Sequence, residues 1–286
     1  MQRKLYATLC ASAILAAGVT AASASSDQGR HHDGRHGLRG VALTTDQKLL
    51  SYRTNAPERA RSVGRIRGLS GDTALVGIDY RPATGDLYGL GNQGGVYVID
   101  DRTAQATRKS RLSMPLEGTA FGVDFNPTVD RLRIVSDTGQ NLRDNVDADG
   151  DTLKDGTLTF PGPPAATATG VTGAAYTNND ADPNTATTLY DLDTALDQVV
   201  IQSPANAGLL APTGKLGLDA AAPSGFDIYS TVRGGTTVDV DGFAALSAGG
   251  RTGLYGIELV TGRADGLGWF PRRHAVVGIA IPTGQR

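Results

Sequence analysis

The hexapeptide GIDYRP, residues 77–82, returns 45 residues later as GVDFNP, residues 122–127. Both copies have a glycine, a branched aliphatic residue, an aspartate and an aromatic residue in the same order, and both end in proline. Looser copies begin at Gly173 (GAAY), Gly225 (GFDI) and Gly278 (GIAI), so the later spacings are 51, 52 and 53 residues. A period of this length is typical of repeat architectures.

Short strand-like runs follow the copies of this motif. Examples are GDLYGL, residues 85–90, and GVYVID, residues 95–100. The runs are rich in Val, Ile, Leu, Tyr and Thr, and glycine, proline, asparagine and aspartate separate them, which is the pattern of strands and turns. No segment has a sustained helical period. The sequence therefore predicts an all-β protein whose repeat unit is a sheet of about four strands.

The two ends of the repeat region complement each other. Residues 41–53 match residues 88–100, so the first unit has its second and third strands but lacks the GIDY-type strand before them. That strand occurs at the other end of the chain as VVGIAI, residues 276–281. A closed β-propeller explains this arrangement, because the last strand completes the first blade and removes the open edges. Five GIDY-type strands predict five blades; six blades are the alternative, since residues 137–170 and 203–222 are difficult to assign.

The N-terminus has the features of an export signal. Residues 1–24 begin with basic residues, continue as an apolar, alanine-rich run and end in the small-x-small sequence ASA at Ala24, so we predict a signal peptide cleaved there. The run is shorter than the roughly 20 residues that a membrane span needs. A flexible polar leader at 25–37 and one propeller domain at 38–286 are expected to follow. The protein is thus expected to be secreted, cell-surface or periplasmic, with no membrane span after cleavage.

Composition narrows the classes of partner. Cleavage would remove Cys10 and leave 262 residues, enough for a core that is stable without disulfides. The mature chain would have 29 acidic and 25 basic residues, so no basic face is implied and nucleic acid and anionic membranes are not expected as partners. A monomer that binds an extracellular ligand, glycan or protein is expected. His31, His32 and His36 in the leader are interpreted as part of a solvated tail rather than a metal site.

The third residue of the repeat is the first candidate site. It is Asp79, Asp124 and Asp227 in three copies, and alanine at 175 and 280 in the other two. Because the first strand of each blade lies nearest the axis, we expect the three carboxylates to converge near the central channel. Converging carboxylates can bind a cation or act on a sugar as acid, base or nucleophile. The alternative, which we favour, is that each aspartate accepts backbone N–H bonds from a neighbouring turn or blade.

The acidic segment DNVDADGDTLKDG, residues 144–156, is the second candidate site. From its second residue it reads Asn-x-Asp-x-Asp-Gly, which matches the first six positions of a calcium loop. Position twelve is Gly156 and no helices are predicted on either side, so the segment is not an EF-hand. A Ca²⁺-binding turn and a plain acidic surface turn stay open. The candidate ligands are Asn145, Asp147, Asp149, Asp151 and Asp155.

Several familiar catalytic motifs are absent from the sequence. It has no G-x-S-x-G elbow, no H-E-x-x-H, no C-x-x-C and no phosphate-binding glycine loop. His274 is the only histidine within the repeats, and it has no identifiable triad partner. An enzyme would therefore depend on the channel aspartates.

Four segments resemble a known family: residues 75–100, 122–143, 171–179 and 187–208. They include the motifs GVDFNP, RLRIVS, GQN, VTGAAYTNN and TTLYDLD. Together they resemble a family of secreted bacterial proteins catalogued only as a domain of unknown function, across residues 38–282. The resemblance implies an exported or cell-surface β-propeller-like domain and brings no catalytic residues.

Three classes of function fit these features. We rank an extracellular ligand- or partner-binding module first, with a calcium-stabilised loop as an option. A structural cell-surface or matrix protein comes second, because threonine, alanine and glycine are abundant and aromatic residues are few. A glycan-active hydrolase or lyase that uses the channel aspartates comes third, since that interpretation rests on analogy between folds.

Overall fold

A computed structural model describes residues 37–180, 182 and 184–285. The predicted signal peptide and the histidines at 31, 32 and 36 lie outside these residues. In the described part the chain forms five four-stranded antiparallel sheets, one two-stranded sheet and two single-turn 3-10 helices. The prediction of an all-β propeller with five blades is confirmed, and the six-bladed alternative is wrong.

The blades follow the chain in order, and each is listed from its inner to its outer strand. Blade 1 consists of β22 (Val276–Ala280), β1 (Arg39–Thr44), β2 (Lys48–Arg53) and β3 (Arg61–Arg65); blade 2 of β4 (Leu75–Tyr80), β5 (Leu87–Gly91), β6 (Gly95–Asp100) and β7 (Gln105–Arg111); blade 3 of β8 (Phe121–Asn126), β9 (Arg131–Ser136), β10 (Asn141–Asp144) and β11 (Thr152–Lys154); blade 4 of β14 (Val171–Tyr176), β15 (Leu189–Asp193), β16 (Gln198–Gln202) and β17 (Leu210–Lys215); and blade 5 of β18 (Ala221–Arg233), β19 (Thr236–Ala248), β20 (Arg251–Ile257) and β21 (Ala264–Trp269).

The segments that were difficult to assign contain no further blade. Residues 137–170 contain β10, β11 and a small hairpin made of β12 (Thr159–Phe160) and β13 (Ala166–Thr167). Residues 203–222 contain the 3-10 helix η2 (Ala205–Ala207), β17 and the start of β18. The other 3-10 helix, η1 (Pro57–Arg59), joins β2 to β3.

The C-terminal strand closes the ring as the sequence predicts. β22 pairs antiparallel with β1, with Val41 opposite Ala280 and Leu43 opposite Gly278. The five inner strands, β4, β8, β14, β18 and β22, contact one another in this order, and β22 returns to β4. The match between the first and second units is also confirmed, because Leu43 pairs with Leu49 as Leu90 pairs with Val96.

The hydrophobic core is divided into five layers, one between each pair of neighbouring blades. Side chains alternate along each strand, so one face of a blade packs on the preceding blade and the other face on the following one. In blade 1, for example, Leu43 and Leu49 face blade 2, whereas Leu50 and Tyr52 face blade 5. No blade can bury both faces alone, so the ring is the smallest unit with a complete core.

The first residue of the motif is glycine because neighbouring inner strands approach closely there. A Cβ atom at Gly122 would lie 2.5 Å from the backbone nitrogen of Ala174, and one at Gly225 would lie 2.6 Å from that of Ile279. Side chains cannot fit at such distances. Gly278 differs, because the atom nearest to its added Cβ is 3.6 Å away, on Ile78.

This contrast predicts different results for two matched substitutions. Gly122→Ala should lower the free energy of unfolding by about 1–3 kcal/mol, since the added methyl group meets backbone atoms that cannot rotate away. Gly278→Ala should leave it unchanged or raise it by up to about 1 kcal/mol, because the methyl group fits and the unfolded chain loses freedom. Urea unfolding of both variants measures the difference. Equal effects would show that the close approach at Gly122 is not a constraint.

Candidate functional site

The structure brings the three repeat aspartates together at the axis. Asp79, Asp124 and Asp227 lie on β4, β8 and β18, and one carboxylate oxygen from each lies within 4.8 Å of the others. Their exposed fractions are 6%, 2% and 3%. Among the described residues they form the only group of three or more acidic, histidine or cysteine side chains close enough to hold one metal ion. The three carboxylates thus converge, as the position of the aspartate in the repeat predicts.

Each of these aspartates binds the inner strand of the next blade in the ring. Asp79 Oδ2 accepts a hydrogen bond from the N–H of Phe125 at 2.8 Å, and Asp124 Oδ1 accepts one from Tyr176 at 3.1 Å. Asp227 Oδ2 accepts one from Ile281 at 2.5 Å. These contacts join blade 2 to 3, blade 3 to 4 and blade 5 to 1.

Two copies of the motif have alanine in place of aspartate, and the structure compensates for both. Ala280 is on the inner strand of blade 1, and blade 2 is next in the ring. No aspartate of blade 1 can accept the N–H of Tyr80 in blade 2, and this N–H bonds to the preceding residue, at Asp79 Oδ1, at 2.7 Å. Ala175 is on the inner strand of blade 4, and blade 5 is next in the ring. There the N–H of Ile228 bonds to the preceding residue, Asp227. Three carboxylates therefore serve the equivalent N–H group of all five inner strands, which is a structural role.

Burial and mutual repulsion change the ionisation of the three carboxyls. Burial raises the pKa of Asp79 and Asp124 well above the usual value, and the charge of the other aspartates adds to this effect. Burial raises the pKa of Asp227 to about 7, against the opposing effect of its backbone hydrogen bonds. The space beside the inner-strand glycines is only about 10 Å³, close to the volume of one water molecule. The geometry favours the architectural interpretation over catalysis.

The candidate calcium loop is engaged in ion pairs. Asp147 accepts hydrogen bonds from Arg81 at 2.5 Å and pairs with Lys109 at 2.9 Å, and these two cations hold its pKa well below the usual value. Asp155 pairs with Arg133 at 2.7 Å and Arg143 at 3.0 Å. Asp147 therefore fastens blade 3 to blade 2, while Asp155 lies against the buried arginine of β9.

Of the remaining candidate ligands, Asn145 contacts Asp147 only through the backbone, because its Oδ1 accepts a hydrogen bond from the N–H of Asp147 at 3.3 Å. Asn145 donates from Nδ2 to Asp151 Oδ2 at 3.0 Å, and Asp149 is exposed. The structure places the candidate ligands in separate contacts rather than in one cluster. The calcium site stays a prediction.

An open cleft between blades 1 and 2 has a volume of about 760 Å³. We call it cleft A. It lies at the end of the molecule where the inner strands end, since Tyr80, the last residue of β4, and Pro282, just after β22, both line it. Five arginines line cleft A: Arg39, Arg53, Arg59, Arg61 and Arg102.

The ends of strands bring these arginines together. Arg39 and Arg61 begin β1 and β3, and Arg53 ends β2. Arg59 is on η1, which is held in place because its first residue, Pro57, packs against Gly268 of blade 5. Arg102 follows β6 of blade 2. All five side chains belong to exposed residues.

Cleft A has an excess of positive charge. Its one acidic lining residue, Asp101, accepts a hydrogen bond from Tyr80 Oη at 2.8 Å. Arg53 donates to the carbonyl of Gly37, and Arg59 pairs with its neighbour Glu58 at 3.6 Å, where both side chains are exposed. Among the described residues, no salt bridge to a carboxylate is found for the other three arginines. Sequence reasoning missed this cluster, because its residues come from five separate segments and form no motif.

The sequence of the chain matches a family model over residues 48–280, described as "Domain of unknown function (DUF4394)". The chain belongs to this family. The predicted resemblance is thereby confirmed. No curated protein matches this DUF4394 chain in sequence.

Several solved structures are distantly similar to this DUF4394 propeller. A chain of the nidogen/laminin complex is 11% identical, with 87% of this chain and 100% of that chain covered and a TM-score of 0.49. A protein of unknown function from Bacteroides thetaiotaomicron VPI-5482 is 15% identical, with 80% and 58% covered and a TM-score of 0.45. An auxiliary nutrient binding protein from the same strain is 15% identical, with 62% and 47% covered and a TM-score of 0.38. Such distant likenesses say nothing about the ligand.

The export prediction lies largely beyond what the structure describes. No helix in the described part of the chain has the length and apolar character that crossing a bilayer requires. Secretion and cleavage after Ala24 stay predictions.

The raised pKa of Asp227 predicts a pH-dependent difference between the wild-type protein and Asp227→Asn. Below the usual aspartate pKa of about 3.9 the carboxyl is neutral in both the folded and unfolded states. As the pH rises towards about 7, the unfolded chain loses this proton first, while the folded protein retains it. The wild type should therefore lose stability relative to the variant, by up to about 1.4 kcal/mol per pH unit.

Urea unfolding between pH 4 and 8 measures this difference, and Asp86→Asn, at an exposed aspartate, is the control. The Asp86 variant should track the wild type at every pH. If the free energies of unfolding of the wild type and Asp227→Asn differed by the same amount at every pH, the buried carboxyl would not be retaining its proton in the folded state.

The calcium prediction has a direct test of its own. A site that binds only the folded state raises the melting temperature by mass action. If Asn145–Asp155 binds Ca²⁺, calcium should raise the melting midpoint, excess chelator should reverse the rise, and Asp149→Asn should abolish it. An unchanged midpoint would remove the prediction.

Proposed function

We propose that this DUF4394 propeller is an exported binding module that takes an anionic ligand in cleft A. The excess of arginine in this cleft carries the proposal: five arginines line it, with a single carboxylate that is already bonded to Tyr80. The volume of the cleft, about 760 Å³, lies within the usual range of ligand sites.

Arginine suits anion binding better than a positively charged group without fixed geometry would. Its planar guanidinium group presents five donors in a fixed fork that matches the geometry of carboxylate, sulfate or phosphate groups. The five arginines line one concavity, so each raises the local attraction for an anion. Asp101 and Ser51, which also line the cleft, can accept hydrogen bonds from hydroxyl groups of the same ligand.

The proposal also explains why five arginines lie together although their like charges repel one another. Like charges that lie together repel one another, and the attraction of exposed pairs such as Arg59 with Glu58 is small. A ligand anion would relieve this repulsion for Arg39 and Arg61, for which no salt bridge to a described carboxylate is found, and would add to the attraction that Asp100 exerts on Arg102. The channel aspartates are only 2–6% exposed and none of them lines cleft A, so the enzymatic alternative draws no support from this cleft.

An array of carboxylated glycans, sulfated glycans, neutral glycans and acidic peptides tests this proposal. The wild type should be retained by acidic probes and not by neutral ones, and retention should weaken as salt screens the charges. Arg61→Glu should weaken binding at least tenfold, because a charge-assisted hydrogen bond contributes about 1.5–3 kcal/mol and 1.4 kcal/mol corresponds to tenfold.

Arg65→Glu is the matched control, since Arg65 is exposed at the other end of the same strand, β3, outside cleft A. It makes the same change in net charge and should leave binding almost unchanged. Equal retention of neutral and acidic glycans, or equal effects of the two substitutions, would overturn the proposal.

A further inference from the structure

A second cleft lies between blades 3 and 4, with a volume of about 440 Å³. We call it cleft B. Three arginines line it, Arg131 and Arg133 from β9 and Arg143 from β10, together with Asn206 from η2 of blade 4. No acidic residue is among the residues that line it.

Cleft B occupies the same position between its blades as cleft A. Asp124 and Ala280 are both the third residue of the motif. Their backbone partners on the second strand of the blade are Arg133 in blade 3 and Val41 in blade 1. Arg131 therefore corresponds to Arg39, two residues earlier. Both clefts lie where inner strands end, because cleft B includes the last residues of β8 and β14. The two clefts open on one face of the ring, two blade positions apart.

Cleft B is positively charged and rigid. Arg133 is only 2% exposed and donates to Asn141 at 2.6 Å, Asp155 at 2.7 Å and Asn206 at 2.8 Å, so its guanidinium group is fixed across the junction between blades. Asp155 also pairs with Arg143 and offsets one of the two charges. Arg131 donates from Nη1 to the carbonyl of Asp130 at 3.3 Å, and the carboxyl that its charge acts on, Asp144, has a pKa raised by burial, which favours the neutral form.

A second buried carboxyl near Arg133 does not remove this excess. Asp191 is fully buried, and burial raises its pKa well above the usual value, which favours its neutral form. Arg131 and one of the two paired arginines thus leave cleft B with a net positive charge.

We infer that clefts A and B bind one ligand together, a linear acidic polysaccharide that lies across this face of the propeller. The inference rests on the proposed function of cleft A and names its ligand class. A chain with a carboxylate on each sugar can place anions in both clefts at once. The second contact is then intramolecular, so affinity rises well above that of either cleft.

The aromatic residues of the clefts favour a polysaccharide over a nucleic acid. Proteins that bind single-stranded nucleic acids stack bases on accessible aromatic rings. Tyr52 and Tyr80 in cleft A are each 5% exposed, and Tyr176 in cleft B is 2% exposed. These rings are part of the core and offer no surface for stacking. Guanidinium and amide groups at the surface instead suit the carboxylates and hydroxyls of a sugar acid.

Isothermal titration with trigalacturonate and with long polygalacturonate tests the inference. Trigalacturonate should bind the wild type at two sites. The long chain should bind at least about 100-fold more tightly than the trimer. Arg131→Glu, a change in cleft B, should leave one trimer site and abolish most of the advantage of the long chain. Arg61→Glu should do the same from cleft A, and Arg65→Glu should change neither quantity.

The results separate this inference from the proposed function. If Arg61→Glu weakens the trimer but Arg131→Glu leaves the long chain unaffected, cleft A binds alone and the bridging inference is wrong. If only acidic peptides are retained on the array and neither galacturonate probe binds, the polysaccharide class is wrong while the anionic site stands. Urea unfolding of each variant, with a midpoint equal to that of the wild type, ensures that lost binding does not reflect lost folding.

Discussion

The ring depends on how closely its five inner strands approach the axis. Each inner strand pairs with its own blade on one side only, so its other edge would leave backbone N–H groups without partners at the centre of the protein. Asp79, Asp124 and Asp227 supply the missing acceptors, and they do so across blade boundaries. Every blade is thus bonded to at least one neighbour at the axis, through the junctions of blades 2 and 3, 3 and 4, and 5 and 1.

The other features of the axis follow from this contact. The residue two before each aspartate is glycine because the neighbouring inner strand occupies the space of a side chain. Alanine at 175 and 280 is tolerated because Asp227 and Asp79 also accept the N–H of the residue that follows them. A fourth or fifth buried carboxyl would add repulsion to the three that are present, in which burial and mutual repulsion already raise the pKa of Asp79 and Asp124. Closing the ring through β22 is part of the same constraint, since an unclosed Asp227 would lack the N–H of Ile281.

The fold could be predicted because its constraint is repeated in the sequence. The motif marks one strand per blade, and its fifth copy at residues 276–281 is enough to indicate that the chain closes on its first blade. The convergence of the three aspartates follows from the same periodicity. Their structural use was the favoured interpretation, but which N–H each one accepts depends on blade order and could not be read from the sequence.

The clefts could not be predicted, for an equally physical reason. The arginines of cleft A come from strand ends spread over residues 39–102, and a net charge close to zero conceals a local excess. The acidic loop shows how contacts that are distant in the sequence bear on a local motif. Its carboxylates resemble a ligand set in the sequence, yet Arg81 and Lys109, the cations that hold Asp147, are 66 and 38 residues away along the chain.

The contrast between axis and clefts indicates where a binding function can arise in this ring. At the axis the motif recurs because all five blades meet the same neighbours, so a change there disturbs the closure itself. At the blade junctions the repeat is relaxed: the position of Arg133 in blade 3 is Val41 in blade 1, although the backbone pairing is the same. Side chains at these positions can differ from blade to blade without breaking the ring. Chemistry specific to one ligand is therefore expected at the junctions, which is where the arginines lie.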